Sequence, residues 1–371
     1  MIKKVLVVAV LLLILSVNVS AEEYSAKEIY GHQFEESGAD GLFNALPPET
    51  AKFLRENGIN PENYDFTENL TAENVFSHIW NFLKSGAKTP FTAAVAVLAI
   101  ILISAALSSA ELGGGAAKTS LYATALSSAA VICAPALSVI SAASDAMQGC
   151  AVFMTSFVPV FAVITASSGA AATAASMSAL LLGASQTVNF IANFVVVPLM
   201  SGYMAISLAA SVSPVVSRSG IADGIKKLGF WIMSLLTTVF IGILSIQTSV
   251  NAAADTLSVR AAKFIIGSSV PVAGTVVSEA LTTVTASMGL LKSTVGVYGV
   301  IACCALFLPL LAELVIWRLA LVLTSTVSDL FAQGKISSLL RCVDTVFSVL
   351  IGLILLTCVM FIISLAVVVK A

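Results

Sequence analysis

The chain has 371 residues, of which 58% are apolar and only 10% are charged, and its net charge is −2 at pH 7. Soluble globular domains carry about 25% charged residues, so the composition excludes a water-soluble main body. Residues 22–89 hold twelve acidic and five basic side chains, whereas residues 90–371 hold eight and eleven. We therefore expect an acidic segment in water followed by a mildly basic part within a membrane.

The first twenty-one residues have the three parts of a secretory signal peptide. Lys3 and Lys4 precede an apolar run over residues 5–17, and Val19-Ser20-Ala21 supplies small residues before a cleavage site. This run is shorter than the roughly 20 residues that cross a bilayer as a helix. We predict cleavage after Ala21, with an uncleaved anchor helix as the alternative.

Residues 22–89 are predicted to form a small, helical exported segment. A short helix is expected to begin at Pro47-Pro48-Glu49 and to end before Gly58, with proline at its start and glycine beyond its end. A second helix is expected before Pro90, because apolar residues recur there at three- and four-residue spacing: Val75, Phe76, Ile79, Trp80 and Leu83. Trp80 is expected near the membrane interface.

From Pro90 onward the chain is a succession of apolar stretches, several of which are long enough to cross a bilayer as helices. They cover residues 90–110, 119–144, 150–212, 228–250, 264–291, 295–327 and 343–369. The predicted fold is therefore all-α and polytopic, with about six to eight transmembrane helices in residues 90–371.

This membrane domain contains a predicted tandem repeat of about 110 residues, with copies at about 119–212 and 228–327. Four short matches keep their order at offsets of 110 to 112 residues, which favours a duplication over chance. They pair residues 142–145 with 252–255, 158–160 with 270–272, 175–177 with 286–288, and 198–199 with 309–310.

The two most basic short loops, 213–227 and 324–342, are expected in the cytoplasm, which makes the two copies parallel. Residues 177–212 would span about 54 Å as one helix, against a hydrocarbon core of about 30 Å, so we expect a break. We predict that the Val-Pro-Val segments at Pro159 and Pro271 form re-entrant helical hairpins. Two further full spans per copy are the alternative.

Two ionisable side chains within an apolar stretch, Glu313 and Arg318, are candidate functional groups because charges are costly inside a membrane. Their spacing places them about 140° apart on a helix, so they are not expected to pair with each other. Asp145 and Asp255 occupy equivalent repeat positions and are expected to cap the helices that follow. Ion coordination is the alternative role for these aspartates.

The sequence contains no recognisable catalytic, cofactor-binding or metal-binding pattern. Residues 113–119 depart from the phosphate-loop pattern and are interpreted as an inter-helix turn. All six cysteines lie in the apolar part and are expected to be small buried hydrophobes. We therefore predict a protein without enzymatic activity or cofactor, embedded in the lipid bilayer and without a nucleic-acid partner.

Several blocks resemble the stage III sporulation protein AE family. They are Phe-Ile-Gly-Ile-Leu-Ser-Ile-Gln at 240–247, Ala254-Asp255, Ala262-Lys263-Phe264, Val-Pro-Val-Ala-Gly at 270–274, and Leu291-Lys292 leading to Val-Gly-Val-Tyr-Gly at 295–299. The resemblance covers about residues 65–371 and is most specific over 228–310.

The resemblance implies a membrane component of the channel between mother cell and forespore, a secretion-like complex required for endospore formation. It further implies a location in the outer forespore membrane of the mother cell. The implied partners are the other stage III sporulation A-operon membrane proteins, their cytoplasmic ATPase and, indirectly, the forespore protein Q. From the residues alone, parallel repeats with broken helices also fit a stand-alone small-solute transporter, which is the alternative.

Overall fold

A computed structural model describes residues 26–63, 66, 72–109, 114–212, 224–246 and 274–370. All regular elements in these residues are helical, and six helices are long and apolar enough to cross a membrane. The prediction of an all-α polytopic membrane protein is confirmed, with the described spans at the lower end of the predicted number. The predicted signal peptide lies outside the described residues.

The exported segment contains helix α1 (Ala26–Glu36), a 3₁₀ helix (Ala39–Ala45) and helix α2 (Pro48–Glu56). The predicted short helix is confirmed: Pro47 lies at the N-cap of α2, and Pro48 is its first residue. Beyond the end of α2, Gly58 has φ +67°, a left-handed conformation that glycine adopts without steric cost.

Within the described residues, seven helices form the membrane bundle. They are α3 (Ala72–Ser109), α4 (Gly114–Ser167), α5 (Ala171–Ile191), α6 (Val197–Val212), α7 (Gly224–Ile246), α8 (Gly274–Leu330) and α9 (Gly334–Lys370). A π-helical turn, Ala192–Val196, joins α5 and α6 into one continuous rod. The pairs α4/α5 and α8/α9 each connect through a short turn. In these two pairs, and in the pair α3/α4, the helices pack against each other.

Several helices continue through positions that the sequence had predicted as breaks. Helix α3 runs through Pro90, and α4 runs through Asp145 and Pro159. A proline removes one backbone hydrogen bond, and packed neighbouring helices make that loss tolerable in a membrane bundle. The prediction that Asp145 caps a helix is therefore wrong, because it lies in the interior of α4. Asp255 lies outside the described residues.

The Val-Pro-Val segment at Pro159 does not form a hairpin of its own. The chain reverses further on, at residues 168–170, where Gly169 has φ +99°. Pro271 lies outside the described residues. Residues 114–119, interpreted from the sequence as a turn, belong to the first turns of α4.

A break was predicted within residues 177–212. This prediction is wrong, because the helical rod continues through these residues and only widens at the π turn. Pro198 follows this turn directly. Its ring crowds the carbonyl four residues earlier and it donates no N–H, and a wider turn relieves both problems. The tandem repeat stays a prediction, since residues 247–273 hold two of its four matches.

Contacts between helices define the two ends of the bundle. The Lys335 ammonium lies 3.5 Å from the centre of the Tyr122 ring, and Cys342 contacts the carbonyl of Tyr203. The last part of α3, the first part of α4, the α8/α9 turn and the last part of α6 therefore share one end, which the basic residues Lys335 and Arg341 predict to be cytoplasmic. The α4/α5 turn lies at the opposite end, which is predicted to be the outer one.

Helices α4 and α8 cross at two glycines of the Val-Gly-Val-Tyr-Gly block. A side chain at Gly296 would collide with Val369 and with the Phe161 ring, and one at Gly299 would collide with the Phe157 ring. Only glycine lets the two helices approach this closely. The block that carried the family resemblance thus has a packing role.

The exported segment packs on the outer halves of these two helices. A side chain at Gly149 would meet Pro47 at 3.1 Å, and the Phe43 and Tyr298 rings lie 5.4 Å apart between centroids. The Gln33 amide donates a hydrogen bond of 2.8 Å to Ser287. Helices α4 and α8 have 54 and 57 residues and are about 81 and 86 Å long, so they are longer than the bilayer is thick. The exported segment covers part of their surface beyond the bilayer.

Replacing Gly299 with valine is expected to destabilise the bundle by about 1–3 kcal/mol, because the side chain must displace the Phe157 ring. The measurement is the thermal unfolding midpoint of the detergent-purified protein. Gly289→Ala is the matched control on α8, since no atom lies within 4 Å of the added carbon. Equal midpoints for the two variants would contradict the close crossing.

The orientation predicts a labelling pattern for single added cysteines. Lys52→Cys and Ser168→Cys lie at the outer end and are expected to react with a membrane-impermeant maleimide on intact cells. Phe331→Cys, in the α8/α9 turn, is expected to react only after permeabilisation. Labelling of Phe331→Cys in intact cells, with protection of the other two, would reverse the orientation.

Candidate functional site

The structure does not bring the two predicted intramembrane charges together. The Arg318 guanidinium donates to Asp344 of α9 at 2.7 Å, and both side chains are partly exposed. Nearer the α8/α9 turn, Arg341 pairs with Asp329 at 2.7 Å. These two ion pairs join α8 to α9, so Arg318 has a structural role that the sequence did not reveal.

Glu313 is half-buried at the contact between α8 and α3. The Cα and Cβ atoms of Glu313 would lie 3.5 Å from a side chain placed at Gly86. Among the described residues, Glu313 has no ion-pair partner. Gly86 stands four residues before Pro90, so its carbonyl is the one that loses its helical donor.

A row of neutral polar side chains follows the α4/α5 hairpin, and the sequence analysis did not identify it. The Asn193 amide donates to Asn189 at 2.7 Å, and Ser144 of α4 hydrogen-bonds to Asn193. Two to three turns closer to the outer end, Gln186 donates to Thr155 of α4 at 3.1 Å. These bonds connect the two helices by polar contacts within an apolar bundle.

The row continues on the exposed surface of α4. Asp145 and Gln148 are exposed, and with Asn44 and Pro47 of the exported segment they line an open cavity of about 410 Å³. We call the whole set the polar strip: Ser144, Asp145, Gln148, Thr155, Gln186, Asn189 and Asn193.

The strip begins at the π turn, which contains Asn193. Single π turns within α-helices occur frequently at functional sites. Gln186, Asn189 and Asn193 follow at spacings of three and four residues, which puts them on one face of the helix. That spacing was the available sequence signal for the strip.

The chemistry of the strip is that of hydrogen bonding. Apart from Asp145 its members are amides and hydroxyls, which donate and accept hydrogen bonds and do not titrate near neutral pH. Among the described residues there is no cluster of three His, Cys, Asp or Glu side chains suited to a metal ion. The strip can therefore hold water or a hydrogen-bonding polymer along the bundle.

The cysteines lie elsewhere, as small packed side chains. All six are free, and Cys150, Cys303, Cys342 and Cys358 are buried, which confirms the expectation for these four.

In the exported segment, burial raises the pKa of Tyr30 to about 12, although a hydrogen bond with Thr294 of α8 opposes this shift. The neutral Tyr30 hydroxyl donates to the Pro61 carbonyl at 2.6 Å.

Asp344→Asn is expected to lower the thermal unfolding midpoint, because it leaves the Arg318 charge without its counter-ion in a partly buried position. The double variant Arg318→Met/Asp344→Leu is expected to recover much of the loss. A double-mutant cycle built from Arg318→Met, Asp344→Leu and the double variant measures the coupling, expected at about 1 kcal/mol. Additive single effects would contradict a stabilising pair.

Comparison with known proteins gives a consistent result. The family model described as "Stage III sporulation protein AE" matches residues 62–371. The Stage III sporulation protein AE of Bacillus subtilis (strain 168) is 26% identical over 236 residues, which are 62% of this chain and 58% of that protein. The match thus spans less than two thirds of that relative's length.

No solved structure matches the chain. The family match covers more than half of the chain and includes the bundle, the α4/α8 glycine contact and the polar strip. It confirms the resemblance first indicated by residues 240–299. This chain belongs to the stage III sporulation protein AE family.

Proposed function

We propose that this protein is a membrane subunit of the channel complex that joins mother cell and forespore and is required for endospore formation. Membership of a stage III sporulation family indicates a role in spore formation. The observation that supports a channel is the polar strip on a mostly apolar bundle.

A hydrophilic passage through a membrane needs side chains that replace the hydrogen bonds of bulk water. The strip provides a series of these groups in the outer half of the bundle, from Ser144 and Asn193 at the π turn to Thr155 and Gln186. It is open on one side, since Gln148, Thr155 and Gln186 are exposed. Further chains are therefore needed to close a passage around it.

The proposed partners are the other stage III sporulation A-operon membrane proteins and their cytoplasmic ATPase, with the forespore protein Q reached indirectly. The proposed location is the outer forespore membrane, with the exported segment facing the intermembrane space. In this role the protein is a structural, non-enzymatic subunit, consistent with a strip that offers hydrogen bonds and almost no titratable groups.

A stand-alone small-solute transporter fits the geometry less well. Carriers bind their solutes near the membrane midplane between helices. Of the larger cavities in the described residues, three have partly polar walls and involve the exported segment, whereas the groove between α5 and α7 is mostly apolar. The geometry therefore favours a subunit that needs partner chains over a stand-alone transporter.

The double variant Asn189→Leu/Asn193→Leu is expected to reduce the count of heat-resistant spores at least tenfold in the native sporulating host. Leucine removes the amides from the strip while preserving helix propensity. The matched control is Thr92→Leu/Thr326→Leu, which removes two exposed hydroxyls that bond only to their own helices. Immunoblotting verifies equal amounts of membrane-inserted protein.

Normal spore counts for the strip variant at equal protein level would overturn the proposal. A second measurement separates the two classes of function. The purified chain reconstituted alone in liposomes is expected to move no small solute above the rate of empty liposomes. Solute movement by the isolated chain, abolished in the strip variant, would establish the transporter instead.

A further inference from the structure

Three open cavities on the exported segment join into one groove. Their volumes are about 350, 420 and 410 Å³. The first two share Phe43 and Arg55 in their walls, and the last two share Asn44 and Leu46. This exported groove therefore crosses the exported segment and ends at Gln148 of the polar strip.

The exported groove is acidic. Its walls carry four exposed carboxylates that form no ion pair within the described residues: Glu35, Asp40, Glu62 and Asp145. Of the two basic residues in its walls, Lys52 pairs with Glu56 at 3.7 Å, which leaves Arg55 as the second cation. The groove thus has a net negative charge and attracts cationic groups.

The same walls contain apolar side chains along the whole groove. They are Phe34, Phe43, Leu46, Pro47, Pro48 and Val152. Lysine and arginine side chains combine an aliphatic stem with a charged end. They therefore match walls that carry both apolar groups and carboxylates.

Two hydrogen-bond donors lie at the centre of the exported groove. The Arg55 guanidinium stands over the Phe43 ring, 5.1 Å from its centroid, and forms no ion pair within the described residues. On the other side of Phe43, the Tyr298 hydroxyl is buried and has no hydrogen-bond partner in the described part of the chain. A buried polar group without a partner is rare in a native protein. A polypeptide offers one carbonyl per residue, which can accept hydrogen bonds from such donors.

Lipid is not expected to cover the exported groove. Hydrocarbon would bury its exposed carboxylates at a high cost in free energy, and these carboxylates repel anionic headgroups. The groove therefore lies in water, where a soluble segment of another protein can reach it.

We propose that the exported groove binds an extended segment of another polypeptide that is rich in lysine or arginine. Each of the three cavities is already within the range of about 300–1,000 Å³ that holds one small ligand, so the connected groove has room for several residues. Most of its walls belong to residues 31–56, which precede the start of the family match at residue 62. The inference does not depend on the proposed channel role.

The test measures fluorescence anisotropy of a labelled ten-residue peptide, in which lysine alternates with proline, on the detergent-purified full chain. Proline keeps this probe extended and solvated. Binding is expected for this peptide and not for its glutamate–proline counterpart. Asp40→Lys/Glu62→Lys is expected to weaken binding at least tenfold. The matched control is Glu36→Lys/Glu49→Lys, which changes the net charge equally at two exposed carboxylates that line none of the three cavities.

A tenfold loss in the groove variant, with less than a twofold loss in the control, supports the proposal. Equal losses in the two variants indicate attraction to net charge alone and overturn it, as does the absence of binding to the unaltered chain. Photo-cross-linking of the unaltered chain with a benzophenone-bearing copy of the lysine peptide is the second measurement. Adducts that mass spectrometry locates in residues 31–62 or 145–152 support the groove, and adducts confined to other residues overturn it.

Discussion

The crossing of α4 and α8, where Gly296 and Gly299 lie against the Phe161 and Phe157 rings, holds the two longest helices of the protein together. Each is more than twice as long as a hydrocarbon core is thick. Their outer halves therefore need cover from protein. The exported segment provides it on one flank, and α9 adds Val369 at the crossing itself.

The sequence predicted the features that depend on composition and local turn chemistry. The apolar content indicated a polytopic helical membrane protein, and the Pro47-to-Gly58 pattern predicted α2. Helix continuity was harder to predict, because a proline weakens a helix locally and packing decides whether the helix survives. At Pro90 and Pro159 packing prevails, and at Pro198 the helix adapts through a π turn.

The candidate site was predicted in part. The cost of a charge in a membrane directed attention to Glu313 and Arg318, but the partner of Arg318 stands 26 residues further along the chain and depends on the α8/α9 hairpin. The polar strip was not predicted, because burying an amide costs less free energy than burying a charge and therefore gives a weaker sequence signal. Its cross-helix bonds, such as Ser144 to Asn193, follow from the tertiary pairing of α4 with α5.

Helix α3 has a mechanical consequence that follows from its continuity. It is a rod of 38 residues, and the Phe53 and Phe82 rings, 5.3 Å apart, attach its outer half to the exported segment. Pro90 removes one hydrogen bond from the rod at Gly86, so bending is cheapest there. Because Gly86 rests on Glu313, the outer half of α3 can pivot on α8 at this contact. A displacement of the exported segment is therefore expected to bend α3 there and to leave its inner half, which packs against α4 and α8, in place.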